Sequence, residues 1–521
     1  MTRPTRTGNP AGDALLRPFR FQELEVGAAE STTAAQVRGG GGCDVLLALD
    51  FDGTSSLTLD ATLAAAKQRI RDGGVLLLGL SNRFGLRFWS GSPEPGSGTL
   101  FTTLAGRGTP PNARAVSAPL FASRRELSQA LTRAGFAVLE WFLAAPDPNA
   151  SGESGTLVSE RLIAAAPELA AELAALHPSA DRRFPRLDLL PEALVARELA
   201  RCGLLAELAN HFLVAASPAP LSAGSTTWSR LRPPAQEVAW HHAPGRRVPI
   251  ATVFELEAGG AGRILVSKRR LDDGELPDSE AFSWVPQARS PLAPGESLRL
   301  RLEQHLIAGR SGAFLEELST FFDFVRARFG RASDLEGEAL DALASNATLD
   351  ESGSFHLFDL EWQARSRVPV SWWILRNVIA CLEMRGKPIA DLPHCGALYE
   401  ALCARAGVEP CPAADLAREA DLGTAVRARS PGMETRELAT ALARPWPVTV
   451  ALGLAAGDLG GGGADLASEH QRLIAAYRKL ESWALDLQAA AVNFEEARRR
   501  LETRVQELEI ALQERDPESK P

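Results

Sequence analysis

Three consecutive segments decide the fold of the first half of the chain: CDVLLALDF at residues 43–51, LDATLAAAKQRI at residues 59–70 and VLLLGLSN at residues 75–82. The first and third are continuous apolar runs, as expected for buried strands, and the middle one has the composition of a helix. The RDGG segment at residues 71–74 predicts a turn before the second strand. This order predicts a βαβ unit in a parallel sheet, with a site at the carboxyl ends of the strands.

The same α/β pattern continues downstream. Ser123 and Glu126 have the spacing of a capping box at the start of a helix, and Gly135 predicts the end of that helix before another strand. The remaining predicted elements of this half are helices at residues 158–176 and 190–209 and a closing strand at residues 210–217. The stretch at residues 217–236, rich in Pro and Ser, predicts a linker.

The RDGG turn, the strand after it and the segment NRFGL at residues 82–86 resemble class I S-adenosylmethionine-dependent methyltransferases of bacterial surface-polysaccharide clusters. The resemblance covers about residues 40–215. It implies a Rossmann-like methyltransferase domain at residues 1–216, with Asn82 near the cofactor. Asp50 and Asp52 end the first strand, where a cofactor or substrate contact is expected; strand-end solvation and turn formation are the alternative.

The front of this domain is incomplete. The family binds its cofactor through a Gly-rich turn after the first strand, but only 42 residues precede Cys43. Gly27, in LEVGAAEST, is the only glycine at the place that echoes such a turn. We therefore expect the Gly-rich front half to be missing, which argues against binding of S-adenosylmethionine.

The second half has a different pattern. Residues 248–271 predict two strands joined by a Gly-containing turn, and residues 354–362 predict another strand. Predicted helices lie at residues 295–306, 311–330 and 371–384 and in further segments to about residue 440.

Lys268 at the end of a strand, Asp341, Asn346 five residues later and Asp359 follow one another in this half. This order resembles the protein-kinase-like fold, including small-molecule kinases, over residues 225–445. The resemblance implies that Lys268 holds phosphates and Asp341 accepts the hydroxyl proton. It also implies that Asn346 and Asp359 hold Mg²⁺, with ATP as the nucleotide.

This pattern is eroded as well. Ala339 and Leu340 stand where the family has His and Arg, and no GxGxxG precedes Lys268. Glu280 is the nearest candidate for the glutamate that pairs with the lysine. The alternative is that Lys268 is a solvated strand residue and Asp359 a structural carboxylate.

The C-terminal segment carries a heptad repeat. Positions d are Leu473, Leu480, Leu487, Phe494, Leu501 and Leu508, and positions a are Tyr477, Ala484, Ala491, Arg498, Val505 and Leu512. This pattern predicts a coiled coil at residues 466–516, after a glycine hinge at residues 460–463, that self-associates through residues 473–512. A helix docked on its own domain is the alternative.

Composition limits the classes of protein to which this chain can belong. The net charge of −9 argues against a nucleic-acid partner, and the scatter of the 6 cysteines argues against a structural metal. The chain contains no apolar stretch of about 18 residues, so we do not expect an integral membrane protein. We expect a cytoplasmic protein, with the inner face of the membrane as an alternative location.

The order of methyltransferase-like domain, kinase-like domain and coiled coil resembles the bifunctional enzymes that cap O-antigen chains. It implies a protein of lipopolysaccharide O-antigen biosynthesis that acts on or regulates the growing glycan end. Three hypotheses stay open: an active kinase or methyltransferase, a catalytically eroded scaffold that recruits glycosyltransferases through its coiled coil, and a globular protein of another function.

Overall fold

The structure is a computed structural model. It describes residues 16, 18–21, 24–28, 42–50, 59–92, 101, 104, 121–146, 155–175, 189–218, 226–242, 249–257, 263–271, 280–285, 289–292, 295–331, 333–382, 384, 389, 391–426 and 431–443. The chain divides into the units Met1–Gly453 and Leu454–Pro521, and all described residues belong to the first.

The strands are β1 (Val26–Ala28), β2 (Cys43–Asp50), β3 (Ile70–Asn82), β4 (Phe121–Ala122), β5 (Phe136–Pro146), β6 (Gly155–Ser159), β7 (His211–Pro218), β8 (Glu237–His242), β9 (Ile250–Leu256), β10 (Ile264–Arg270), β11 (Phe282–Trp284), β12 (Ser290–Pro291), β13 (Glu296–Ser297), β14 (Gly330–Arg331), β15 (Asp334–Leu335), β16 (Ala347–Leu349), β17 (Phe355–Leu357), β18 (Trp362–Ala364) and β19 (Val368–Pro369).

The helices are α1 (Leu59–Arg69), α2 (Leu86–Trp89), α3 (Arg124–Arg133), α4 (Glu160–Ala165), α5 (Pro167–Ala174), α6 (Glu192–Arg201), α7 (Leu205–Leu208), α8 (Thr226–Leu231), α9 (Leu298–Ile307), α10 (Ser311–Phe329), α11 (Val370–Cys381), α12 (Cys395–Ala406), α13 (Pro412–Val426) and α14 (Pro431–Ala443). Two 3-10 turns span Gly337–Asp341 and Ala344–Asn346.

The predicted βαβ unit is present as β2, α1 and β3. Strands β2 and β3 pair in parallel, and α1 packs Leu63 and Ala66 into the core. The RDGG segment differs from the prediction, because it lies inside β3 as an irregularity and not as a turn before it. The pairing moves from Cys43 with Ile70 directly to Val45 with Val75. Gly73, at φ +76°, accommodates the extra residues, since left-handed backbone favours glycine.

The next elements also follow the sequence closely. Ser123 and Glu126 form the predicted capping box at the start of α3, and Gly135, at φ +77°, follows its end.

The sheet differs from the prediction, because it is mixed and not parallel. Strand β7, the predicted closing strand, lies between β3 and β5 and runs antiparallel to both. The region predicted to be helical from residue 158 begins with the end of strand β6.

One sheet of the described residues runs through both halves of the chain. Its order is β1-β2-β3-β7-β5-β6-β8-β9-β10-β12, with β4 beside β3. Strands β6 and β8 pair antiparallel from Gly155 with His242 to Val158 with Ala239, which joins the two predicted domains edge to edge. The predicted linker contains helix α8. Leu231, the last residue of this helix, is fully buried in the core beside β3. Strands β9 and β10 form the predicted hairpin.

The rest of the second half is mainly helical. Its core includes Phe314, Phe321 and the adjacent Trp372 and Trp373, all buried. The predicted strand at residues 354–362 is interrupted: β17 ends at Leu357 and β18 begins at Trp362. Asp359 lies in the interruption at φ +58°, a conformation that breaks a strand.

The C-terminal predictions cannot be compared with these elements. The glycine hinge at residues 460–463 and the coiled coil at residues 466–516 lie outside the described residues. Within the described ranges, none of the helices combines the length and apolar character needed to cross a membrane.

Candidate functional site

Lys268 is buried between the central sheet and the segment after β17. Its side chain is 2 % exposed, and its Nζ lies 2.5 Å from Oδ1 of Asp359 and 3.5 Å from Oε2 of Glu361. Nζ also donates a hydrogen bond of 2.8 Å to Oγ1 of Thr252 on the neighbouring strand β9. Lys268 is therefore not a solvated strand residue. Its charge is compensated by carboxylates from a distant part of the chain.

The two carboxylates beside Lys268 are held by unusual local structure. Asp359 has left-handed backbone, which is costly for a residue with a Cβ and is retained only where surrounding contacts enforce it. Glu361 is 2 % exposed and accepts a hydrogen bond of 3.2 Å from Nε1 of Trp284. Trp284, on β11, pairs directly with Trp362 on β18, so this small sheet holds the carboxylate in place.

Asn346 lies at the start of the β16–β17 hairpin. Its backbone oxygen accepts a hydrogen bond of 3.0 Å from the nitrogen of Phe358, the residue before Asp359. Its side-chain Nδ2 donates to the backbone oxygen of Asp341, also at 3.0 Å. Asn346 and Asp359 both line the same cavity. The hairpin thus brings together the two residues that the sequence assigns to a metal.

Asp341 lies deeper, at the end of a 3-10 turn. Its Oδ1 accepts from Nη2 of Arg376 at 3.1 Å, and its Oδ2 accepts from the backbone nitrogen of Trp362 at 2.6 Å. Burial raises the pKa of Asp341 to about 7, although the positive charge of Arg376 lowers it. Among the described residues, Leu343 and Asn346 line the cavity and Asp341 does not. Its carboxylate is engaged within the protein.

The cavity has a volume of about 490 Å³. Thr252, Phe254 and Val266 of the hairpin β9–β10 form one wall. A second wall comes from the helices α5 and α6 of the first predicted domain, through Leu173 and Arg197. The other lining residues are Glu168, Leu169, Glu172, His241, Leu292, Gly295, Glu296, Ser297, Arg299, Leu300, Leu343, Ser345, Asn346, Thr348, Phe358, Asp359, Arg376, Ile379, Ala380 and Glu419. Both halves of the chain therefore build one cavity.

Two residues that line the cavity have side chains of the kind that bind magnesium. Mg²⁺ is usually held by one or two carboxylates together with phosphate oxygens and water. Asp359 supplies a carboxylate and Asn346 an amide oxygen to the cavity lining, and the ammonium group of Lys268 contacts Asp359. The two negative charges of Asp359 and Glu361 exceed the single positive charge of Lys268. This excess of negative charge favours the binding of a cation. Among the described residues, no group of three or more His, Cys, Asp and Glu side chains is arranged to hold a metal.

Of the residues assigned to S-adenosylmethionine, only the side chain of Asn82 lies within the described part of the chain. Asp50 ends β2, but its side chain and all of Asp52 lie outside what the structure describes. Asn82 is fully buried at the end of β3. Its Nδ2 donates to the backbone oxygens of Glu207 and Ala209 at 2.8 and 2.7 Å. Asn82 therefore fastens the end of β3 to the segment before β7.

The rest of the NRFGL region makes similar structural contacts. Nη1 of Arg87 lies 3.1 Å from Nε2 of His211 on β7, and its Nη2 donates to Oγ of Ser81 at 3.1 Å. Burial, and then the charge of Arg87, hold the pKa of His211 well below its ordinary value. Gly27 lies within strand β1. The described residues contain no Gly-rich turn after the first strand, and the expectation that S-adenosylmethionine does not bind stays a prediction.

Sequence reasoning missed several residues of the site. Thr252 and Arg197 lie in segments that carry no motif, and their place in the cavity follows only from the joined sheet. Arg376 lies next to the Trp372–Trp373 pair, and its isolated charge in an apolar helix was a usable signal. No protein-family model and no curated protein matches the sequence.

Proposed function

We propose that this chain is a kinase-like protein that binds a magnesium–nucleotide complex in the 490 Å³ cavity. The observation that carries the proposal is the contact between the buried Lys268 and Asp359, a residue that lines the cavity. A lysine with 2 % exposure is costly to bury unless its charge has a use or a partner. A lysine paired with a carboxylate that lines a cavity, together with Asn346 on the same lining, suits phosphate and metal recognition.

Each residue has a separate role in this proposal. The ammonium group of Lys268 binds phosphate oxygens. The carboxylate of Asp359 and the amide oxygen of Asn346 hold the metal ion, and bound Mg²⁺ neutralises phosphate charge. Glu361 keeps Lys268 oriented when Asp359 turns to the metal, since Lys268 then retains a carboxylate at 3.5 Å.

A second candidate is a catalytically inactive, nucleotide-responsive scaffold. It is favoured by Asp341, the residue expected to accept the hydroxyl proton. Both carboxylate oxygens of Asp341 accept hydrogen bonds within the protein, from Arg376 and Trp362. The described residues between β10 and β13 also form strands, with no helix that presents a glutamate to Lys268. Such a protein binds nucleotide without transferring phosphate.

Calorimetry with Mg-ADP and Mg-ATP tests binding. Wild type and Asp323→Asn, a control on the exposed face of α10, should give the same saturable isotherm. Asp359→Asn should abolish it, because one metal ligand is lost. Binding that is unchanged in Asp359→Asn contradicts the proposal, as does a wild type that binds neither nucleotide at millimolar concentration.

Turnover then separates the two candidates. ³¹P NMR with Mg-ATP and a polysaccharide acceptor should show transfer of the γ-phosphate if the site is catalytic. Asp341→Asn should then reduce transfer while sparing nucleotide binding. Binding without transfer identifies the scaffold.

The biological setting proposed is bacterial surface-polysaccharide biosynthesis, at the growing glycan end. It is supported by the three-part sequence order and by a cavity built jointly by the methyltransferase-like and kinase-like halves. Loss of the gene should change the chain length of the O-antigen, which gel electrophoresis of lipopolysaccharide measures. An unchanged length distribution contradicts this setting.

Self-association through residues 473–512 belongs to the same proposal, and the coiled coil is the surface offered to glycosyltransferases. Burial of each d-position leucine contributes on the order of 1.5–3 kcal/mol. Light scattering should show an oligomer for the full chain and a monomer after deletion of residues 466–521. A full-length monomer at tens of micromolar contradicts self-association.

A further inference from the structure

Two buried hydroxyl groups face each other at the α9 side of the cavity. Ser297 on β13 and Thr348 on β16 are direct cross-strand partners in an antiparallel pair. Side chains at such positions point to the same face of the sheet, with Cβ atoms about 4.5–5.5 Å apart. Ser297 is 5 % exposed and Thr348 is 7 % exposed, and both line the cavity.

These hydroxyl groups lack partners in the protein. Among the described residues, neither Oγ of Ser297 nor Oγ1 of Thr348 has a hydrogen-bond partner. Buried polar atoms in folded proteins are satisfied in the great majority of cases, and an unsatisfied one costs stability. Because both residues line one cavity, a single bound group could satisfy both hydroxyl groups.

Arg299 adds a charged donor at the same place. Its side chain is 15 % exposed, and it lines the cavity two residues after Ser297. Its Nη2 is buried without a hydrogen-bond partner among the described residues. Its Nη1 lies 3.9 Å from Oε2 of Glu303, a distance at which the ion pair is weak. The guanidinium group therefore has donors left for a ligand.

Helix α9 begins at this point. It has ten residues, and Ser297 precedes it without a side-chain capping hydrogen bond. The first-turn amide groups of a helix are donors and carry a partial positive charge. The adjacent carboxylate of Glu296 does not oppose an anion here, because it is ion-paired with both Arg197 and Arg301.

We propose that Ser297, Thr348, Arg299 and the start of α9 form an oxyanion-binding subsite for a phosphate or carboxylate group of a small-molecule ligand. Guanidinium and helix amide groups only donate hydrogen bonds, and both hydroxyl groups can donate. Four donors around one space require an acceptor, and an oxyanion offers the most. This subsite is separate from the contact of Lys268 with Asp359, and it does not depend on nucleotide binding there.

The test uses the full-length protein and inorganic phosphate as the probe. Titration calorimetry is performed with phosphate, with acetate, and with sodium chloride at the same ionic strength. We expect saturable binding of phosphate or acetate and none of chloride. A stronger response to phosphate assigns the subsite to a phosphate group, and a stronger response to acetate assigns it to a carboxylate.

Variants then locate the binding. Arg299→Gln should weaken the preferred anion by about tenfold or more, since a charge-assisted hydrogen bond is lost. Thr348→Val keeps the side-chain shape and removes only the hydroxyl group, so it should weaken the anion with little effect on folding. Asp359→Asn should retain anion binding even if it abolishes nucleotide binding, which keeps this inference distinct from the proposed function.

Two results overturn the inference. One is that phosphate and acetate bind wild type no better than chloride. The other is that Thr348→Val and Arg299→Gln, both folded by circular dichroism, bind the anion as tightly as wild type. If Arg299→Gln does not fold, Thr348→Val and Ser297→Ala decide the matter alone.

Discussion

The Nζ of Lys268 lies 2.5 Å from Oδ1 of Asp359, and this contact ties strand β10 to the interrupted segment between β17 and β18. Asp359 is in left-handed backbone, so its position is held by its surroundings and not by its own preference. Glu361, two residues on, approaches the same ammonium group. These contacts fix the side chains of Lys268, Asp359 and Glu361 relative to one another.

Lys268→Met should destabilise the protein by about 3 kcal/mol, because it leaves the buried Glu361 without its positive partner. Asp359→Asn should cost less, since Asp359 is 30 % exposed and water compensates part of its charge. Denaturant unfolding followed by circular dichroism measures both changes.

The double variant is the control for this interpretation. If Lys268 and Asp359 interact as the distance implies, the cost of Lys268→Met should be smaller in the Asp359→Asn background. Strictly additive costs would show that the two charges do not interact in solution.

The pH dependence of stability should reveal Asp341. Burial raises its pKa from the ordinary value of 3.8 to about 7. Between those values the folded state holds more protons than the unfolded state, so the contribution of Asp341 to stability falls as pH rises from 4 to 7. Relative to Asp341→Asn, which does not titrate, wild type should lose on the order of a few kcal/mol over this range.

Urea unfolding at pH 4.5, 5.5, 6.5 and 7.5 measures this difference. If the free energy of unfolding of wild type instead rises relative to that of Asp341→Asn as the pH increases, the pKa of Asp341 is lowered and not raised. In that case Arg376, at 3.1 Å, would dominate over burial and keep the carboxylate ionised.

Local signals in the sequence were sufficient for the elements that depend on them. The capping box at Ser123, the end of α3 at Gly135 and the hairpin β9–β10 follow from side chains within a few residues of each other. Trp372 and Trp373, which lie in an apolar run, are both buried in the structure. These features need no knowledge of the rest of the chain.

The pairing of strands that are distant in the sequence could not be predicted from local signals. Nothing in the composition of residues 155–159 specifies that β6 pairs with β8, because buried strands of similar composition can pair in many orders. The domain boundary predicted near residue 217 was based on Pro and Ser content. This content does not indicate that Leu231 is buried. The contributions of Thr252 and Arg197 to the cavity depend on this same pairing.

Gly337 begins the 3-10 turn that ends at Asp341, and a side chain there has no space. A Cβ at Gly337 would lie 1.8 Å from the backbone oxygen of Ala364. Gly337→Ala should therefore destabilise the protein by about 3 kcal/mol or more, since backbone must move. Thermal unfolding measures the loss.

Gly312, near the start of α10, is the matched control. A Cβ at Gly312 meets nothing within 4 Å, so Gly312→Ala should stabilise the protein by up to about 1 kcal/mol. Equal effects of the two substitutions would contradict the packing around Gly337.

The sheet that runs through both halves of the chain leads to a last prediction. It concerns which parts of the chain can fold alone. The core that includes Leu143 and Val158 also includes Val238, Phe254 and Ile264 from the second predicted domain. A chain of residues 225–445 would expose this apolar surface and the edge of β8, and each Val, Leu, Ile or Phe exposed costs about 1.5–3 kcal/mol. Residues 225–445 alone should therefore aggregate or unfold.

A chain of residues 1–453 retains both sides of the β6–β8 pairing and is the control. Its central sheet should unfold in one cooperative transition by circular dichroism, because the strands on both sides of the β6–β8 pairing share one sheet and one core. Two separate transitions of the sheet, or a chain of residues 225–445 that melts at the same temperature as residues 1–453, would show that residues 225–445 form an independent domain. The cavity wall supplied by Leu173 and Arg197 would then be an interface that can open, and ligand binding would survive its removal.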